Sequence, residues 1–139
     1  MQTTWERSAL ASRPLRGRAR AAVIELLAHQ SCCLTAHDIF DRLRAAGSAV
    51  GLASVYRTLD QLSTDGFVQK IELGDGTTRY EPAQTGGHHH HHVVCGNCGK
   101  VDAFEYDRLE QALRRVEQQT GYAVAAHDVV LRGTCGDCA

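Results

Sequence analysis

The spacing of apolar positions changes character along the chain, and the changes predict its elements. Arg18–His29 has helical spacing, with Ala22, Leu26 and His29 on one flank and Val23 and Leu27 beside them. Thr35-Ala36-His37-Asp38 reads as a capping box that opens a second helix. Ile39, Phe40 and Leu43 give that helix its apolar face, and Gly47 ends it. A third helix is predicted from about Leu52 to Thr64, with Leu52, Val55, Leu59 and Leu62 on one stripe and Gly66 at its stop. Two short strand-like runs follow, Phe67–Leu73 and Thr77–Glu81, around Gly74-Asp75-Gly76, which is the signature of a β-hairpin. Met1–Pro14 has no strong periodicity and is expected to fray.

Three helices followed by a hairpin is the order of a winged helix-turn-helix. In that arrangement the third helix enters the DNA major groove and the hairpin forms the wing. Ala53, Arg57, Asp60 and Thr64 then point away from the core, with Ser54 and Tyr56 on the flanks. Arg20, Ser54, Tyr56 and Arg57 are the candidate DNA contacts. A solvated helix face would carry the same residues, so this stretch alone leaves both readings open.

Pro82–Gly87 reads as a linker, with Pro, Gln, Thr and two Gly. Beyond it the pattern predicts a strand over about His89–Val94, a knuckle, a strand over Lys100–Phe104 and a helix over roughly Arg108–Gln119. Leu109, Leu113 and Val116 are expected to face inward on that helix. Val124 and Val129–Leu131 supply a last strand. The expected organisation is α+β: a winged helix-turn-helix domain over 1–82, a hinge over 83–87 and a small C-terminal α/β dimerisation domain over 88–139. The second domain has roughly fifty residues, which is marginal for a free core and points to a bound metal and a dimer.

Composition narrows the class. At 139 residues, with 43% apolar and 22% charged content, the chain has the make-up of an ordinary globular protein. No apolar run approaches membrane-crossing length, and Met1–Leu10 lacks the apolar core of a secretory signal, so a cytoplasmic location without membrane partners is expected. Residues 1–80 carry 10 Lys/Arg against 8 Asp/Glu, and residues 81–139 carry 5 against 8. The basic excess lies early, at Arg7, Arg13, Arg16, Arg18 and Arg20, where it could approach phosphates. The acidic, His/Cys-rich remainder would attract cations.

The candidate chemistry sits in that second part. Cys95-Gly-Asn-Cys98 and Cys135-Gly-Asp-Cys138 are two Cys-x-x-Cys pairs, the ligand set of a closed tetrahedral zinc site. One tight turn can present both sulfurs of a pair, and the glycine in each eases the turn. Disulfides do not suit a reducing compartment, and a redox Cys-x-x-Cys usually stands alone beside a βαβ pattern. Just upstream run five consecutive histidines, His88–His92, leading directly into Val93-Val94-Cys95. A purification tag would sit at a terminus; this run reads as the start of a strand. Strand alternation then sets His88, His90 and His92 on one face and His89 and His91 on the other, so one strand could feed two metal sites.

These segments, taken together, resemble the ferric uptake regulator family over nearly the whole chain. The resemblance rests on Gly51-Leu-Ala-Ser-Val-Tyr-Arg-Thr-Leu59, the His88–His92 run, Cys95-x-x-Cys98-Gly99-Lys100 and Cys135-x-x-Cys138. It implies a homodimeric, metal-responsive transcriptional repressor that binds a double-stranded DNA operator. It implies structural zinc at Cys95, Cys98, Cys135 and Cys138. It further implies a sensing site at Cys33, Glu81, His90 and His92, and another site at His89, His91, Glu110 and His127.

The chain departs from the family pattern at two places. Iron- and peroxide-sensing members usually have a His where this chain has Cys33, and an acidic residue where it has Ala103. Zinc-sensing members often use a Cys just before the histidine run, where this chain has Ala83 or Gln84; Cys32 could substitute. A thiolate with His and carboxylate favours zinc, whereas an oxygen/nitrogen set favours ferrous iron. Zinc is therefore the expected regulatory ion, with Fe(2+), Mn(2+) or Ni(2+), in iron or peroxide sensing, as the alternatives. No open three-ligand zinc site with a general base is evident, so no catalysis and no small-molecule substrate are expected. The rivals from other classes are a thiol oxidoreductase and a zinc-stabilised interaction module.

Overall fold

Leu59 and Leu62 have no exposed surface, and the N-terminal half is assembled around them. The computed structural model describes residues 2–11, 18–83 and 89–139. Its contacts divide it into two units, Met1–Gly86 and Gly87–Ala139. Of the expected hinge, only Ala83 is among the described residues, and His88 is also outside them.

In the first unit the order is α1 (Thr4–Ala11), α2 (Arg18–Ala28), β1 (Leu34–Thr35), α3 (Ala36–Ala45), α4 (Leu52–Thr64), β2 (Val68–Glu72) and β3 (Thr78–Pro82). The winged helix-turn-helix is present: α2, α3 and α4 pack together and the β2–β3 hairpin follows. α3 opens on a capping box in which the Thr35 hydroxyl accepts from the Asp38 amide while the Asp38 carboxylate accepts from the Thr35 amide. α4 buries Val55, Leu59 and Leu62 and exposes Ala53, Tyr56, Arg57, Asp60 and Thr64. The hairpin turn has Gly74 and Gly76 at φ +80° and +76°, in the left-handed region that glycine enters without a Cβ penalty.

Two local expectations are corrected, and one short strand was not expected. Met1–Pro14 was expected to fray, yet Thr4–Ala11 is helical. Tertiary contact decides it: Ala9 is fully buried and the Trp5 indole N–H donates to the Phe67 carbonyl at 2.8 Å. The buried face of α2 is centred on Val23, Ile24 and Leu27, while His29 lies beyond the helix and is exposed. β1 has only two residues, too few to show a period, and adds to β3 through Leu34↔Tyr80 and Thr35↔Arg79, giving the sheet order β1-β3-β2.

The second unit runs β4 (His91–Cys95), β5 (Val101–Phe104), α5 (Asp107–Thr120) and β6 (Val130–Gly133). The sheet order is β5-β4-β6, with β4 antiparallel to β5 and parallel to β6. Val124 lies outside the last strand. α5 closes on Gly121 in the left-handed conformation, at φ +74°. Its expected inward face is not buried: Leu109 and Leu113 are half-covered and Val116 is 44% exposed. A three-stranded sheet this short has too little area to cover a helix as well. Among the described residues of this unit only His91, His92, Val94 and Cys95 are buried.

Candidate metal centres

The parallel pairing of β4 with β6 brings the two Cys-x-x-Cys pairs together. Cys95 is the last residue of β4 and is in register with Gly133, so both knuckles leave the sheet at the same end. The first closes through Gly99 N–H to the Cys95 carbonyl at 3.0 Å, and the second through Cys138 N–H to the Cys135 carbonyl at 3.0 Å. The four Sγ atoms lie within 4.8 Å of one another, and Cys98 and Cys135 are 3.7 Å apart. With zinc–sulfur bonds of about 2.3 Å, a tetrahedral S₄ site has S···S edges of about 3.8 Å. The residues therefore fit zinc. Amide N–H groups prepare one of them as a thiolate: donation from Cys135, at 3.3 Å, and then from Cys98 and Asn97 lowers the Cys95 thiol to about 6. Cys138 is pushed up to about 12, first by its contact with Cys135 and then by that with Cys98, as expected where thiols share charge. A redox dithiol would keep its two pairs apart; here they converge.

Around the start of the same strand, four residues before Cys95 at His91, lies a second cluster. His89, His91, Glu110 and His127 offer ligand atoms within 4.8 Å of one another. The His91 Nε2 is 2.6 Å from Glu110 Oε1, and His89 and His127 Nε2 are 3.2 and 2.9 Å from Oε2. The His91 Nδ1 accepts from the Val129 amide at 3.3 Å, so the ring proton sits on Nε2 and is donated to Glu110. That hydrogen bond, then the charges of His127 and His89, hold the Glu110 carboxyl below its usual range, against the opposing effect of burial. A cation held at Nε2 would displace this proton. Nitrogen and oxygen donors of this kind suit zinc, iron and nickel alike.

The histidine parity is visible in the rings: His89 and His91 have centroids 5.0 Å apart, and His90 and His92 4.9 Å apart. His92 is buried. In the first unit, Cys32, Cys33 and Glu81 offer ligand atoms within 4.8 Å of one another. Register explains it. Cys33 is one step beyond Leu34↔Tyr80 on the antiparallel β1–β3 pair, which sets it across from Glu81. Glu81 is 2% exposed and accepts from the Gln69 side chain. The Cys33 thiol is raised, first by its contact with the Cys32 sulfur and then by burial; the nearby Arg79 guanidinium works the other way.

Comparison with known proteins settles the kinship. The family model described as the ferric uptake regulator family matches residues 16–132. The ferric uptake regulation protein of Bacillus subtilis is 36% identical over 119 residues, covering 85% of this chain and 80% of its own length. The chain belongs to the ferric uptake regulator family. The zinc uptake regulation protein of Mycobacterium tuberculosis is 33% identical over 121 residues, covering 87% of this chain and 92% of its own. The ferric uptake regulator of Vibrio cholerae, whose crystal structure reveals a rearrangement of its DNA-binding domains, superposes with a TM-score of 0.77 at 30% identity, over 87% of this chain and 92% of that one. The family match ends before Cys135, so the second cysteine pair is recognised by its own spacing and geometry.

The outer face of α4 carries three of the four expected DNA contacts. Tyr56 is 41% exposed and meets His37 edge-on at 6.5 Å; Arg57 is exposed and donates to the Ser54 hydroxyl at 3.3 Å. Arg20 departs from expectation. It is 7% exposed, with its guanidinium 3.7 Å from Asp65 and 3.5 Å from the Ala9 carbonyl. α1 covers it, and its charge serves the interior of the unit. Trp5 and α1 were missed because their signal is a single long-range contact rather than a pattern. Among the described residues no helix is long and apolar enough to cross a membrane.

Proposed function

We propose that this chain is a metal-responsive transcriptional repressor that binds operator DNA as a homodimer, with zinc as its regulatory ion. The observation that carries the reading is the placement of Cys33 and buried Glu81 in the same unit as an exposed recognition helix. Helix α4 would dock in the major groove through Ser54, Tyr56 and Arg57, with the β2–β3 hairpin against the backbone. Cys95, Cys98, Cys135 and Cys138 would hold structural zinc, and His89, His91, Glu110 and His127 a further cation. The half-covered Leu109 and Leu113 and the exposed Val116 on α5 are the candidate dimer face.

The regulatory ligands are Cys33 and Glu81 from the first unit and His90 and His92 from the second. When bound there, the ion supplies a bridge that restricts how one unit turns on the other. In a dimer this restriction sets the spacing of two α4 helices, which must match half-sites about one helical turn apart or a multiple. The rearranged DNA-binding domains of the V. cholerae relative support a movable arrangement. A coupling of about 1–3 kcal/mol corresponds to about 5–150-fold in DNA affinity. Phosphate contacts would make binding fall steeply with salt. Ferrous iron, manganese or nickel is the alternative regulatory ion, a reading favoured by the ferric uptake relatives.

The test is an anaerobic DNA-binding titration of protein that retains its structural zinc, with zinc, ferrous iron, manganese and nickel. Zinc should activate at the lowest free concentration. Glu81→Ala and His90→Ala should each weaken the metal dependence and leave a folded dimer. Arg57→Ala should abolish DNA binding with zinc content unchanged. Equal operator affinity with and without added metal would overturn the reading.

A further inference from the structure

Cys32 and Cys33 are adjacent in sequence, yet their side chains do not diverge as neighbours on a strand would. Their Sγ atoms are 3.6 Å apart. The four-cysteine cluster offers an internal standard: there Cys98 and Cys135 stand 3.7 Å apart. Both separations match the edge of about 3.8 Å expected when two thiolates share one tetrahedral zinc. Neither cysteine is in a disulfide. The chain thus repeats, in its first unit, the sulfur spacing that it uses in its second.

The surroundings support a cation there. Cys33 is 7% exposed and Glu81 2%, so two of the three acidic groups are withdrawn from water. Two sulfurs and a carboxylate make three donors of a four-donor set.

We infer that Cys32 and Cys33 bind the regulatory ion together, as a two-thiolate chelate joined within the first unit by Glu81, which makes the site selective for zinc over ferrous iron and manganese. This rests on the reading of Cys33 and Glu81 as regulatory ligands, and it adds Cys32 and the selectivity. Two thiolates favour a thiophilic ion, whereas the carboxylate suits a borderline one; zinc satisfies both. A single Cys among His and Glu ligands would discriminate far less.

The experiment uses full-length protein that keeps zinc at the four-cysteine site, checked by metal analysis, with one equivalent of cobalt(II) added anaerobically. Sulfur-to-cobalt charge transfer in the near ultraviolet reports thiolate ligands, and the His89 cluster, having no sulfur, is silent. The expected result is that Cys32→Ser and Cys33→Ser each remove about half of the band and the double variant removes it all. In operator-binding titrations Cys32→Ser should raise the zinc requirement at least tenfold and leave the ferrous and manganese requirements within about twofold. Circular dichroism confirms that each variant is folded. If Cys32→Ser keeps the full band and Cys33→Ser loses it, the chelate is refuted while Cys33 stands as a regulatory ligand. If neither single variant changes the band, both the chelate and the reading of Cys33 fail.

Discussion

Val23, Ile24, Val55, Leu59 and Leu62 of the first unit have no exposed surface, whereas α5 of the second buries no residue along its fourteen. The first unit carries the apolar core: α1 to α4 close over one cluster that also takes in Val68 and Tyr80. Among the described residues of the second unit, those buried are His91, His92, Val94 and Cys95. One is held by area removed from water, whereas the buried polar groups of the other are ones whose burial a bound cation would favour. The contrast assigns different vulnerabilities to the two halves. It also fits the concentration of candidate metal ligands in the half that is too small to close on hydrophobic contact alone.

The sharpest way to break this comparison is to remove the four-sulfur site. Cys95→Ser with Cys135→Ser should leave the second unit unfolded and susceptible to limited proteolysis, while the first unit keeps its helical circular dichroism. Equal protease resistance of both units would mean that the second has an adequate core of its own. Next in size is the converse change. Leu59→Ala should cost the first unit about 2–5 kcal/mol in denaturant unfolding, with zinc content unchanged. A smaller loss would mean that the cluster relaxes around the gap.

Val116→Asp tests whether the uncovered α5 face is completed by a second copy. Sedimentation should report a monomer at concentrations where the parent chain is a dimer, a shift of at least about tenfold in dissociation constant, or about 1.4 kcal/mol. An unchanged dimer would place the interface elsewhere.

The smallest effect concerns pH. The Arg79 hydrogen bond holds the Asp75 carboxyl below its usual range. A carboxyl depressed in the folded state stabilises above its unfolded value, about 3.9, and that contribution fades as pH falls through the folded value. First-unit stability should therefore drop below about pH 4, and Asp75→Asn should flatten that part of the profile. An unaltered profile would assign the acid sensitivity to other groups.

Local spacing determined much of this protein before any folding. The Cys-x-x-Cys pairs are legible because one four-residue turn presents both sulfurs to the same side. His89 and His91 separate from His90 and His92 because a strand alternates. Thr35 and Asp38 cap α3 because the bonds they exchange span three residues. The hairpin and the recognition helix follow from short periods of the same kind. Pairing between distant segments decided the rest. The two knuckles meet because β4 and β6 lie side by side in parallel, and Cys33 faces Glu81 because a two-residue strand joins β3 in one register. Arg20 is interior because α1 covers it, and α1 is ordered because Trp5 reaches Phe67 across sixty-two positions. Such contacts leave no periodic trace, since their partners are set by the closure of the whole core rather than by neighbours in the chain.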